Sequence, residues 1–336
     1  MHASDDFLRE CDDSPRLNEL ARFFMETAAG RSGMPIRPPI ADRRLLPDDT
    51  LLHQFIDLHV RRQGNFDQHY HASIPYRLEE ECRMGHALLR YSQTIPSEMF
   101  FYSLGTAEGT MARVVSELSD GKVQSLACSP NEENYKCFMA FGEPLGASFF
   151  VGPFHRLTKE HLHSQNRLER FAVGFDVILE DTTFQMYSPN RRDQIGFVKQ
   201  HLKPNGIFLS VEKFRSNDEN AYQSREEQKN LGFKSNYFGT DEIARKTELV
   251  LNTMHACEVT LAEMADAVSP HFKHCVVTWN SGNFYGLAAS NDAANLGRYL
   301  STMVQPAIPV EYVYEPRPYC DLVSWLQRQQ TLVEVA

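Results

Sequence analysis

No run of about 18 consecutive apolar residues interrupts the 336-residue chain, so it offers no candidate for a membrane-spanning helix. Positive charge is also in short supply, with 34 Lys and Arg against 44 Asp and Glu. The formal charge of −10 argues against a surface built to neutralise a nucleic-acid backbone, and small molecules or proteins are the expected partners. Paired cysteine spacing is missing. Cys11, Cys82, Cys128, Cys137, Cys257, Cys275 and Cys320 are scattered, odd in number and without a C-x-x-C step. That pattern speaks against a disulfide framework or a cysteine-rich zinc site and for a reducing compartment. The opening Met1-His2-Ala3-Ser4-Asp5-Asp6 has neither the basic nor the apolar region of a signal peptide, so a cytoplasmic location is expected. What is present, 42% apolar and 23% charged residues, is the composition of an ordinary globular protein of one enlarged α/β domain or two small ones.

The first 77 residues read as a helical arm. Ser14-Pro15 is a helix-start signal, followed by Leu17, Leu20, Ala21, Phe24, Met25 and Ala28 on one face and Gly30 as a stop. A second helix is expected after Asp48-Asp49, with Leu52, Phe55, Ile56 and Val60 turned inward. From residue 78 apolar strands alternate with helices, the sign of parallel βαβ units. Strands are predicted at 99–104, 122–127, 147–152, 175–180 and 206–211, with Asp120-Gly121, Pro144 to Gly146 and Pro204 to Gly206 as breaks. Two β-rich runs around Asn280-Ser281-Gly282-Asn283 predict a hairpin whose strands are antiparallel. Residues 213–274 are more than one crossover requires and predict a helical insertion, while 291–336 form a tail.

The junction at the first strand carries the most chemistry. Phe100-Phe101-Tyr102-Ser103-Leu104 runs into Gly105-Thr106-Ala107-Glu108-Gly109-Thr110-Met111, a strand, a glycine turn and a helix start. Glycine suits that turn because a residue without Cβ lets the backbone approach a ligand and adopt positive φ.

Five alternating units, the terminal hairpin, and His201-Leu202-Lys203-Pro204-Asn205-Gly206 leading into the fifth strand together resemble the class I S-adenosylmethionine-dependent methyltransferases. The resemblance spans residues 78–290. It implies a doubly wound, mostly parallel seven-stranded α/β sheet with an antiparallel terminal hairpin, a Rossmann-like methyltransferase fold, carrying the arm and the insertion as additions. It also implies S-adenosyl-L-methionine as cofactor, bound by Ser103, Gly105, Thr106, Ala107, Glu108 and Gly109 at the first strand and by Cys128, Ser129 and Asn131 at the second. The departures are specific. Ser103 stands where the family has an acid, Ala107 replaces the middle glycine, Ala127 precedes Cys128-Ser129-Pro130 where a ribose-binding acid is usual, and Pro153 follows Gly152 where an acid near adenine is common.

Phe175-Asp176-Val177-Ile178-Leu179-Glu180-Asp181 matches the family's fourth strand and puts Glu180 and Asp181 at the carboxyl edge, where α/β sheets bind ligands. These acids can orient the cofactor's ammonium, accept a substrate proton or hold a cation; Asp176 reads as structural. His155 is an acid/base candidate because imidazole titrates near neutrality. Tyr76, Arg77, Tyr187, Tyr222 and Tyr237 are candidates for lining a substrate pocket. His69/His71, His161/His163 and His271/His274 lack a recognisable third ligand, so no metal is expected. The charged run Arg225-Glu226-Glu227-Gln228-Lys229 reads as a solvated helix face. The expected activity is methyl transfer to an oxygen, nitrogen or carbon of a small molecule. A non-catalytic partner subunit with the same fold and a nicotinamide-dependent oxidoreductase are the rivals, and the arm and tail offer surfaces for a homodimer.

Overall fold

A computed structural model describes residues 4–105, 107–306, 308–314 and 321–322. The chain opens with α1 (Asp5–Asp12), α2 (Ala21–Ala28), α3 (Thr50–Arg62), α4 (Asn65–His71) and the long α5 (Arg77–Thr94). Strands and helices then alternate as β1 (Met99–Leu104), α6 (Thr110–Leu118), β2 (Val123–Ser129), α7 (Glu132–Met139), β3 (Ala147–Val151), α8 (Lys159–Ser164), β4 (Phe175–Asp181), α9 (Arg191–Lys199) and β5 (Leu202–Lys213). Between β5 and the hairpin lie α10 (Glu219–Gln228), α11 (Thr240–Lys246), α12 (Asn252–His255) and α13 (Leu261–Val268). The hairpin strands β6 (His274–Ser281) and β7 (Phe284–Ser290) are followed by α14 (Ala293–Leu300).

The seven strands are ordered β3-β2-β1-β4-β5-β7-β6. The first five are mutually parallel, and β7 runs antiparallel to both β5 and β6. This is the doubly wound sheet with a reversed terminal strand that the sequence predicts. Because helices cover both faces, alternate residues of each strand enter different cores. Phe101, Val177, Leu179 and Leu209 join one with α3, α5, α6 and α14, while Tyr102, Ile178 and Phe208 join the other with α1, α2, α9 and α13. The arm therefore does not stand apart from the sheet; it divides, with α1 and α2 on one face and α3 on the other.

Some sequence readings shift. Ser14 does not cap a helix: among the described residues its hydroxyl has no hydrogen-bond partner, the Arg16 amide donates to the Met186 carbonyl, and the Asn18 side chain donates to the carbonyls of Asp12 and Ser14. With those groups used elsewhere the chain turns through residues 14–20, and α2 begins only at Ala21. The second arm helix is as expected, capped by the Asp49 carboxylate accepting from Leu51 and Leu52, although Val60 faces outward. Lys203 to Gly206 does not precede β5 but bulges within it, as the partner of Phe175 is Leu202 and that of Val177 is Ile207. Asp176 anchors the bulge by accepting from Lys203 Nζ at 2.7 Å and from the Phe100 amide at 2.8 Å, a structural role.

Helices α3 and α5 meet so closely that a Cβ on Gly85 would fall 2.1 Å from Phe55 Cζ. Alanine gains roughly 1 kcal/mol of helix propensity over glycine, but making room beside a buried ring costs about 1–3 kcal/mol. Gly85→Ala is expected to lower the melting temperature, and an unchanged or higher value would contradict this packing.

Candidate functional site

At the carboxyl edge, where strand order reverses between β1 and β4, loops from the sheet, the arm and the insertion enclose one continuous cavity. The sheet contributes Gly105, Ala107, Cys128, Ser129, Asn134, Asp181, Thr183 and Tyr187. The arm lays Arg16, Phe24, Phe66, Asp67 and Tyr70 over them, and the insertion adds Lys234, Lys246 and Met254 at the far end. Backbone strain collects at this edge. Among the described residues, two of the four non-glycine residues with positive φ are here, Ala107 and Thr182, the latter a β-branched residue for which that conformation is costly.

The glycine turn is held by protein contacts. Gly105 has φ +75°, and a Cβ there would lie 1.3 Å from Thr183 Oγ1, so its missing side chain lets the β4 loop close over the turn. Gly109, at φ +71°, similarly lets the start of α6 approach Ala127. Thr106 lies outside the described residues. Glu108 turns away from the cavity and accepts hydrogen bonds from the amides of Phe66 and Asp67 at 2.7 and 2.8 Å, which pins the first turn of α4 to the glycine turn. Burial pushes its carboxyl up to about 7 against those two bonds, and the neighbouring Asp67 is raised too, first by burial and then by Glu108.

Glu180 and Asp181 part company because successive strand residues point to opposite sides. Glu180 lies beneath the β4 loop, accepting from the amides of Thr183 (2.6 Å) and Phe184 (3.1 Å) and from Ser210 Oγ (2.7 Å). Burial and the nearby Glu212 hold its carboxyl well above the usual range. Asp181 faces the cavity, accepting from Tyr70 at 2.5 Å and pairing with the fully buried Arg77. Arg77 also approaches Glu81 at 3.3 Å, and Glu81 accepts contacts from His59 at 2.9 Å and His71 at 3.0 Å. Against its desolvation, His71 and Arg77 hold Glu81 well below the ordinary carboxylate range. His59, His71 and Glu81 form a cluster with metal-capable donors, but the adjacent guanidinium supplies the positive charge a cation would otherwise bring.

Of the sequence candidates, Gly105, Ala107, Cys128, Ser129, Asp181 and Tyr187 line the cavity, and Arg77 stands directly behind Asp181. Ser103 is buried within β1, and Asn131 is used in capping α7 and donating to the Phe24 carbonyl. His155 points at Asp12 of the arm, 2.8 Å away, with its ring pushed below the ordinary imidazole value by burial. Tyr76 and Tyr237 share a separate surface groove with Arg37. Tyr222 supports the cavity from outside, accepting from Lys213 Nζ at 2.6 Å and donating to Glu258 at 2.8 Å.

The run from Arg225 to Lys229 is not a plain solvated face. Glu226 pairs inward with Lys213 at 3.0 Å and with Lys229, whose side chain is buried where α10 widens into a π-helical turn over Lys229–Phe233. Arg16, Asn134, Lys213, Lys234 and Lys246 are site residues that sequence patterns do not flag. Only the fold brings them to one place.

Two outcomes follow for stability. Arg77→Met, which leaves Asp181 and Glu81 buried without their cation, is expected to cost about 3–5 kcal/mol in urea unfolding; a loss below about 1 kcal/mol, the range of exposed pairs, would contradict the charge chain. Glu108 has a folded pKa raised from 4.5 to about 7, so its contribution is full below pH 4.5 and is lost as pH rises through 7. Relative to Glu108→Gln, the unsubstituted protein should lose roughly 3 kcal/mol between pH 4.5 and 8. Parallel pH profiles of the two urea midpoints would refute it.

No protein-family model matches this chain, and no curated protein matches it in sequence. Among solved structures, the plantazolicin methyltransferase BpumL in complex with SAH is similar at 13% identity over 73% of this chain and 100% of that one, with a TM-score of 0.44. The plantazolicin methyltransferase BamL, in complex with a triazolic desmethylPZN analog and SAH, gives 12% identity over 72% and 97%, with a TM-score of 0.44. A SAM dependent methyltransferase from Aquifex aeolicus gives 13% over 66% and 95%, with a TM-score of 0.39. Superpositions this loose leave the assignment to the chain's own strand order, and that order, with β7 reversed between β5 and β6, is the Rossmann-like methyltransferase fold.

Proposed function

We propose that this protein is an S-adenosylmethionine-dependent methyltransferase acting on an oxygen, nitrogen or carbon nucleophile of a small molecule. The observation that carries the reading is the single cavity running from the β1 glycine turn to the insertion across the switch in strand order. Its nucleoside end has a polar group awaiting a partner: Asn134 Oδ1 is buried without a hydrogen bond among the described residues, while Asn134 Nδ2 donates to Ser129 Oγ at 2.8 Å. Asn134 and Ser129 would meet ribose or adenine, and the backbone of Gly105 and Ala107 the methionine portion. When bound, the cofactor supplies an electrophilic methyl on a positive sulfur.

The work left to the protein is alignment and exclusion of water. Phe24, Phe66 and Tyr70 supply aromatic lining to the cavity, with Phe24 stacked on Phe66 and covered by the Arg16 guanidinium 4.1 Å from its ring centre. Asp181 is already paired with Arg77, so it serves as a fixed negative wall that orients the Tyr70 hydroxyl rather than as a free base. Phe24 and Arg16 cover the nucleoside end from the arm. Among the described residues no helix is long and apolar enough to cross a membrane.

A non-catalytic binding role is the second reading, favoured by Glu108 and Asn131 being engaged by the arm instead of facing the cavity. Calorimetry separates the two. S-adenosylmethionine and its demethylated product should bind in the micromolar range, about −8 kcal/mol, and NAD should not bind. Asn134→Leu is expected to weaken both by at least about tenfold, 1.4 kcal/mol. Absence of binding by either would overturn the enzyme reading.

A further inference from the structure

Four lysines meet at the insertion end of the cavity; among the described residues two carboxylates form ion pairs with them, and Glu242 acts on Lys234 and Lys246 without pairing with either. Lys213 pairs with Glu226 and Glu258, each at 3.0 Å, and Lys229 shares Glu226. Lys234 is 1% exposed and, among the described residues, forms no ion pair and no side-chain hydrogen bond. Among the described residues Lys246 Nζ meets neutral groups, His69 Nε2 at 2.5 Å and Ser73 Oγ at 2.7 Å. His69 places Nδ1 against the Gly33 carbonyl, so Nδ1 carries the ring proton and Nε2 is left as the acceptor for Lys246.

An ammonium held out of water without a counter-charge is expensive unless something supplies that charge. Burial first, then the repulsion of Lys229, brings Lys234 down to about 7 against the opposing pull of Glu226 and Glu242, and Lys246 is lowered by burial, Lys234 and Lys229 against Glu242. Both lysines line the same cavity as Val250, Leu251, Met254 and Phe284, an apolar wall. An apolar body with one negative end matches both halves of this surface.

We propose that the acceptor is a small molecule with an anionic head, a carboxylate or a phosphate, received by Lys234 and Lys246, and with an apolar body lying against the insertion. That it is the methyl acceptor rests on the methyltransferase reading; that the site binds an anion does not.

The test is calorimetry on the full chain without cofactor, using benzoate, phenyl phosphate and the neutral benzamide as probes. At least one anion should bind about tenfold or more tightly than benzamide, and which one does so distinguishes carboxylate from phosphate recognition. Lys234→Met and Lys246→Met should each weaken that anion by about tenfold, leaving benzamide and S-adenosylmethionine binding unchanged. Lys234→Gln, with circular dichroism and melting curves on all three variants, guards against loss of fold. Equal affinity for anion and amide, no binding of either anion, or anion binding indifferent to both folded variants overturns the proposal. Anion binding without S-adenosylmethionine binding would sink the methyltransferase reading and leave the anion site standing.

Discussion

Arg77 is the interaction on which the arrangement depends. Its guanidinium, fully buried at the start of α5, joins Asp181 at the end of β4 to Glu81 one helical turn on, and through Glu81 to His59 on α3 and His71 on α4. Isolated in an apolar interior any of these charges would cost several kcal/mol, so they are tolerable only together. The arm helices and the carboxyl edge of the sheet thereby share one electrostatic unit. Tyr70 extends it, since its hydroxyl donates to the other Asp181 oxygen and faces the cavity. Removing one member does not free its neighbours for other tasks; it strands them.

A second tie, Glu108 on the amides of Phe66 and Asp67, makes the glycine turn the anchor of α4. Residues that a ligand-binding edge commonly offers to its ligand are here turned to hold the arm, and the cavity is walled by arm aromatics in return. This explains why the absence of acids at Ser103 and Ala127 is compatible with a formed pocket. Asn134 and Ser129 supply polar lining there instead, and the backbone at Ala107 and Thr182 is strained at the same edge.

The fold was legible because its signals are local. Apolar strand runs, the Asp120-Gly121 turn and the Gly282-Asn283 hairpin turn specify the sheet without reference to anything distant, and the observed strands begin within one residue of prediction at β1 to β4. Glu180 against Asp181 was not legible, since which of two adjacent strand residues faces the ligand depends on the core below it. His155 read as a poised base because the partner that claims it, Asp12, is 143 residues away in sequence. The lysines of the insertion carry no motif at all. Lys229, Lys234 and Lys246 converge through two π-helical turns, at Lys229–Phe233 and Thr247–Leu251, that periodicity does not foretell.

The central claim is that the cavity beneath the arm is a nucleoside-cofactor site continuous with an acceptor site. Amide hydrogen exchange with and without S-adenosylhomocysteine tests it most directly. The account predicts slowed exchange at the glycine turn from 105 to 110, at 129–134 after β2 and in α2 of the arm, with α14 on the opposite face unchanged. Exchange unaltered at the turn and the arm, or protection confined to another surface, would contradict it.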